Sequence, residues 1–296
     1  EPSPDVRLQA PQDTDASLRL PRDEAPCFKI DRVVLSGDQA EDFQWALRAA
    51  NPSDDPVQGR CVGARGINLT MKRIQNAIIA KGFITTRVLA QAQDLNQGTL
   101  SLVVVPGRIK HIRFAAGTSA RAHYWNAMPA SDGDVLNLRD IEQALENFKR
   151  VPTAEADVQI TPAEGADAQP GESDVVIAWK QAVPVRVSLS VDDSGSKQTG
   201  KYQGNVALSL DNLATLNGLF YIRPHHDLGG GESGDRGSKG HTIHYSVPYD
   251  YWQLSLTSSE YDYHQTIAGV NQAYSYSGRS RTCLLYTSPS PRDRGC

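Results

Sequence analysis

The sequence predicts an α+β fold of two tandem modules, each ordered strand, helix, helix, strand, strand (βααββ), followed by the first strands of an incomplete antiparallel transmembrane β-barrel. Three observations carry that reading. Residues 66–107 give helix, strand, turn and strand signals in succession, residues 108–181 repeat the element order, and from Pro184 onward apolar and polar residues alternate with a period of two.

Composition bounds the rest. With 296 residues, 39% hydrophobic and 22% charged, the chain is long enough for two or three ordinary domains. A net charge of -4 leaves no basic footprint, which argues against a general nucleic-acid binder. No run of about 18 apolar residues exists, so no helix is expected to cross a membrane; tilted barrel strands of about ten residues escape that test. Neither an initiator Met nor a charged-then-apolar leader stands at the front, so Glu1 reads as a cut end.

In chain order, residues 1–26 are rich in Pro, Asp, Arg and Ser, lack periodicity and read as a linker. The first module is expected over residues 27–107. Phe28, Ile30, Val33 and Leu35 mark a strand, and residues 41–50 place Phe43, Trp45, Ala46 and Leu47 in a helical setting. Residues 51–60 form a loop by their prolines and aspartates. Ile67, Met71, Ile74, Ala77 and Ile78 then give an amphipathic helix one apolar face, ended by Gly82. Residues 83–89 are rich in β-branched side chains, 94–98 carry turn chemistry, and 100–105 are a nearly continuous apolar run.

The second module is expected over residues 108–182, with strands at 109–114, 158–161 and 174–179, a short helix at 119–128, and a second helix marked by Leu138, Ile141, Leu145 and Phe148. The opening part of the barrel follows over residues 183–281. Val185, Val187, Leu189 and Val191 fall on one face and Arg186, Ser188, Ser190 and Asp192 on the other; Tyr202 to Asp211 alternates in the same way. Polar Gly-rich connections at 194–200 and 224–240 contrast with the tight Pro248-Tyr249-Asp250, the asymmetry of an outer-membrane barrel. About six strands are fewer than the roughly eight that close such a barrel, so the chain also reads as cut at its back. Residues 282–296 (CLLYTSPSPRDRGC from Cys283) resemble translated adaptor or vector sequence and read as a non-native tail, a reading that genomic reads across Arg281 would test.

Cys27 and Cys61 flank the first structured segment. A bridge between them closes a loop of 34 positions, stabilises by about 3 to 4 kcal/mol in the chain-entropy model, and implies an oxidising compartment such as the periplasm. The other readings are two buried thiols or a zinc site, for which no His or Cys stands at ligand spacing.

Several chemistry-bearing patterns read as structure. GGGESG at 229–234 has the letters of a dinucleotide loop but opens no helix. His225, His226, His241 and His244 read as loop histidines without a fixed carboxylate or thiol, and Glu260 with Asp262 as a solvated strand end. No catalytic constellation, metal set or cofactor site is expected.

CFKIDRVVLSG together with RCVGARGINLTMKRIQNAIIAKGFITTRVLAQAQDLNQGTLSLVVVPGRI resembles the first periplasmic POTRA domain of two-partner secretion outer-membrane transporters, the TpsB class of haemolysin secretion/activation type. Residues 108–181 resemble their second POTRA domain, and 184–281, with GLFYIR and SEYDYHQTIAG, the opening strands of their barrel. The resemblance implies a monomeric outer-membrane protein with POTRA domains in the periplasm, whose partners are membrane lipid and a secreted TpsA-type exoprotein recognised through its unfolded N-terminal secretion domain. A barrel-assembly insertase of the same superfamily and a periplasmic POTRA-type scaffold are the rival readings.

An edge strand beside an amphipathic helix suits such a client, because an extended chain can add to it as a strand. The candidate contacts are Ile84, Thr85, Thr86, Arg87, Val88 and Gln91, with Ile74 and Ile78 on the helix. Of these, Thr85, Thr86, Arg87 and Gln91 are expected to be exposed, whereas Ile74, Ile78 and Val88 equally suit the core of a small domain. Arg186, Gln203, Asn205 and Arg223 are expected to face a polar lumen.

Overall fold

A computed structural model describes residues 19–231 and 233–290. The first module opens with strands β1 (Phe28–Lys29) and β2 (Arg32–Gly37), a 3-10 helix (Ala40–Ala50), β3 (Cys61–Val62) and helix α1 (Ala64–Ala80), and closes with β4 (Arg87–Ala90) and β5 (Thr99–Val105). β5 lies in the middle of a three-stranded sheet, parallel to β2 and antiparallel to β4. The second module repeats the three-stranded sheet with one helix: β6 (Arg108–Phe114), helix α2 (Leu138–Lys149), β7 (Ala154–Pro162) and β8 (Glu172–Gln181), with β8 central, parallel to β6 and antiparallel to β7.

Each module closes over its own core. Ile30, Phe43, Ile74, Ile78, Leu100 and Leu102 are fully buried in the first, and Ile109, Leu136, Ile141, Phe148, Ile177 and Trp179 in the second. The two are joined tightly. Leu138 N donates to Gly82 O at 2.8 Å, the Asn137 amide donates to Lys81 O, and the Arg108 guanidinium reaches Asp38 at 2.6 Å and Gln39 at 3.1 Å.

Six strands follow as an antiparallel meander: β9 (Val185–Asp192), β10 (Gln203–Asp211), β11 (Leu219–Asp227), β12 (Arg236–Tyr249), β13 (Trp252–Ala268) and β14 (Ala273–Pro289), paired in sequence order with β9 and β14 at the edges.

The structure corrects several sequence expectations. Residues 1–18 of the expected linker lie outside the described residues, but 19–26 dock onto the first module. Leu20 is buried there and its N–H donates to the Asp55 carboxylate at 2.7 Å. The Glu24 carboxylate accepts from the N–H groups of Gly63, Arg65 and Gly66, which open α1. Burial opposes its ionisation, and those three donors with the Arg65 charge outweigh it, holding the Glu24 carboxyl below the ordinary range.

The segment expected as a helix at 41–50 is a 3-10 helix, and its buried Ala40, Phe43 and Ala46 stand at the three-residue spacing of that helix. Residues 119–128 form turns rather than a helix. A helix over 119–128 pairs the His123 carbonyl with Ala127 N, but Ala127 N donates to Tyr124 O at 2.9 Å. Here His123 O accepts from the Asn217 amide at 3.0 Å and Asn126 O from Asp250 N at 3.0 Å.

The strand expected from Phe83 begins only at Arg87, because Ile84 N turns back onto Gly82 O. His225 and His226 lie in β11, and His241 and His244 in β12, not in the intervening loop. β14 continues past Arg281 in register with β13 as far as Pro289; residues 291–296 lie outside the described residues.

Candidate functional site

The six-stranded sheet has two chemically distinct faces, and strand register defines them, since residues directly opposite each other project from the same side. Val185, Leu210, Phe220, Tyr245, Leu256 and Leu285 pair successively across all six strands and make one apolar row. One residue over, Arg186, Ser209, Tyr221, His244 and Thr257 make a polar row across five strands. The apolar side is unpartnered: Val187 is 65% and Leu189 76% exposed, and Val206, Leu208, Leu254 and Leu256 are also exposed. An open apolar surface of this extent needs a non-aqueous neighbour.

The expected lumen residues lie on the opposite side and are bonded there. Arg186 forms a two-pronged pair with the buried Asp211, both bonds 3.0 Å. The Gln203 amide bonds Gly200 O and Ser238 Oγ, Asn205 bonds Asp192, and Arg223 stands over the Tyr221 ring.

The second module is clamped to the tight ends of this sheet by buried amides. Asn126 Nδ2 donates to Leu216 O at 2.7 Å and Pro248 O at 3.0 Å, and Asn147 Nδ2 donates to Asp250 O at 2.9 Å. Asn217 Nδ2 donates to Asn126 Oδ1 and Tyr251 donates its hydroxyl hydrogen to Asp140 at 2.5 Å. Arg150 Nη2 donates to Ser246 Oγ, and burial pulls the Arg150 guanidinium down to about 10.

Asp250 sits in this clamp with a positive φ of 51°. Burial first, then the charge of Asp140, pushes its carboxyl up. A raised acid value means that ionisation costs the folded state, a cost absent at low pH and imposed as pH rises through that value. Asp250→Asn therefore raises the thermal midpoint of the chain at pH 7, helped by the tolerance of Asn for positive φ. The gain over the parent disappears by about pH 3.5, below the ordinary aspartate value.

At the far end of the first module, β4 is the edge of its sheet and lies beside α1. Arg87 and Gln91 are exposed, as is Leu89, which sequence reasoning missed; its signal was the alternation with the buried Val88. Thr86 is fully buried, contrary to expectation, since its Oγ1 accepts from Gly107 N at 3.2 Å. Ile74, Ile78 and Val88 are core residues, and the half-buried Ile84 packs against the second module. The disulfide joins Cys27 and Cys61 with their Cα atoms 5.3 Å apart. Among the described residues no group of three or more His, Cys, Asp or Glu side chains is arranged to hold a metal ion.

Two small α+β modules clamped end to end onto an antiparallel sheet, one side greasy and open, the other polar, define an outer-membrane protein of the kind that carries periplasmic domains ahead of its barrel strands. Comparison with known proteins agrees. Residues 28–107 match the ShlB-type POTRA domain, 108–162 a POTRA domain, and 171–289 the haemolysin secretion/activation protein ShlB/FhaC/HecB. The chain belongs to the ShlB/FhaC/HecB family, with its POTRA domains in the periplasm and its barrel strands in the outer membrane.

The chain is 40% identical over 295 residues to the outer membrane transporter CdiB-2 of Burkholderia pseudomallei (strain 1026b), an alignment covering 95% of this chain and 48% of that protein. It also resembles the solved structure of CdiB from Acinetobacter baumannii, with a TM-score of 0.81 and 28% identity over 96% of this chain and 55% of that one. For CdiB from Escherichia coli the TM-score is 0.73 at 27% identity, over 97% of this chain and 50% of that one. The chain thus spans about half the length of the curated relatives it matches.

Proposed function

We propose that this chain is part of the outer-membrane transporter of a two-partner secretion system. Its POTRA domains take up an extended, unfolded N-terminal segment of a secreted exoprotein at the β4 edge and pass it to a pore lined by the polar face of β9 to β14. The observation that carries this reading is the parity of the sheet toward its tight turns: an apolar row runs through all six strands from Val185 to Leu285, and beside it a polar row runs through five, from Arg186 to Thr257. That pattern suits a strand wall between acyl chains and water. A hydroxyl- and amide-lined wall lets an unfolded chain slide without sticking. The rival readings as an assembly insertase or a periplasmic scaffold have no residue here that favours them.

On this reading Arg87, Leu89 and Gln91 are the client contacts that remain accessible on the edge, whereas Thr85, expected to be exposed, is only partly so and its hydroxyl is buried. Leu89→Asp places a charge where an extended client lays an apolar side chain. It is expected to weaken binding of the exoprotein domain encoded beside this gene by about tenfold or more, with thermal stability unchanged, since Leu89 is 49% exposed. Equal binding by the parent and by Leu89→Asp in a calorimetric titration removes β4 from the client path.

A further inference from the structure

The β4 edge is already occupied by a peptide-like group. Gln75, on α1, donates from Nε2 to Thr86 O at 2.6 Å and accepts at Oε1 from Val88 N at 2.7 Å. Thr86 and Val88 have the same strand parity, and Val88 N bonds Gln75 rather than β5, so these groups point away from the sheet. One donor and one acceptor flanking Arg87 reproduce the pair of bonds that a residue of a parallel neighbouring strand makes. The Arg87 guanidinium shares Thr86 O at 3.2 Å.

A second glutamine does the equivalent on β5. Where β4 stops at Ala90, Gln93 donates to Ser101 O and accepts from Ser101 N, both bonds 2.7 Å, extending the ladder by one pair.

The geometry points to Gln75 as a latch: its side-chain amide stands in for a client strand on the POTRA1 edge and must swing away before an extended polypeptide adds there. The occupant is a backbone, because the groups that Gln75 satisfies are a backbone carbonyl and a backbone N–H, which side chains of a folded partner reach poorly. The latch has a physical purpose in the unloaded state. An exposed edge strand with open donors and acceptors pairs indiscriminately with other chains, and a side-chain cap suppresses that at the cost of one bond pair that any true strand replaces. This inference rests on the reading of β4 as the client edge, and the test separates the two.

Hydrogen exchange on the full chain reads the latch directly. In Gln75→Ala, exchange at the Val88 amide speeds up about tenfold, while the Leu89 amide, which faces β5, keeps its rate. Gln75→Glu retains an acceptor for Val88 N but offers no donor to Thr86 O, and falls between parent and alanine. Gln93→Ala releases Ser101 and leaves Val88 protected. The second arm uses a labelled, end-capped eight-residue peptide of alternating threonine and valine as the strand probe, followed by fluorescence anisotropy. Gln75→Ala binds it about tenfold more tightly than the parent, the factor by which the competing amide is removed. Unchanged Val88 exchange in Gln75→Ala overturns the latch. Faster exchange with no gain in peptide binding overturns its gating role. Failure of the client reading shows separately, as indifference of exoprotein binding to Leu89→Asp.

Discussion

Asp55→Ala lowers the stability of the first POTRA domain by about 3 kcal/mol, the low end of what removing one partner from a buried charge cluster costs. Asp55 is buried beneath Arg73, bonded at 2.6 Å, and Arg60, bonded at 2.5 Å, and it also accepts from Leu20 N. Truncating the carboxylate leaves Arg73, itself only 9% exposed, without its closest anion and releases the docked segment at Leu20. The low end applies because a hollow of about 430 Å³, lined by Arg19, Asp54, Asp55 and Arg73 among others, admits water beside the cluster.

Its pH dependence follows from the same contacts. Burial favours the neutral acid, but the Leu20 N–H, the Arg73 hydrogen bond and the charges of Arg73 and Arg60 outweigh it, so the carboxyl lies below its ordinary 3.8. The stability it contributes is present in full above that ordinary value and is lost as pH falls through the lower folded value. Urea unfolding of parent and variant at pH 7, repeated toward pH 3, measures both effects. A loss under about 1 kcal/mol at pH 7, no more than an exposed pair supplies, refutes the buried-cluster account.

The second large effect is that of the disulfide. Replacing Cys27 and Cys61 with serine costs about 3 to 4 kcal/mol, since the bridge spans 34 positions and its removal returns that loop's freedom to the unfolded chain. What the loop contains makes the cost local. Gly59 N donates to Ile30 O at 2.7 Å and Ile30 N to Arg60 O at 2.9 Å, so Gly59 and Arg60 are stitched to the residue just past β1. Arg60 belongs both to this stitch and to the Asp55 cluster. Combining Asp55→Ala with the serine pair is therefore expected to cost less than the two separate losses added together. Differential scanning calorimetry of the four forms checks it; equal midpoints for oxidised parent and serine pair sink the prediction.

Much of the fold was legible because its signals are local. α1 needs only the spacing of Ile67, Met71, Ile74 and Ile78, and β9 only the alternation from Val185 to Asp192. The POTRA likeness was most specific over residues 66–107, where helix, turn and strand signals agree, and that stretch lies within the 28–107 match to the ShlB-type POTRA domain. Two of the errors lie where distant groups claim a hydrogen-bonding partner. Residues 119–128 carry helical composition, but the His123 carbonyl is claimed by Asn217, about a hundred positions away. Thr86 reads as an exposed strand residue, but Gly107 N claims its hydroxyl.

The candidate site divides in the same way. Parity alone identifies which side chains share the polar face, so Arg186, Gln203, Asn205 and Arg223 were readable together. That Arg186 is held by Asp211, and that Gln75 closes the β4 edge, were not.

By itself the amino-acid order determined the periodicities, and with them the two α+β modules with helices α1 and α2 and the alternating strands, because a period of 3.6 or 2 is a property of neighbours along the chain. Only the tertiary structure decided which hydrogen-bonding groups remain available. Helix or turn at 119–128, docked or loose at Leu20, and open or latched at β4 each depend on a partner remote in sequence. A buried donor or acceptor takes whichever partner the packing brings within reach.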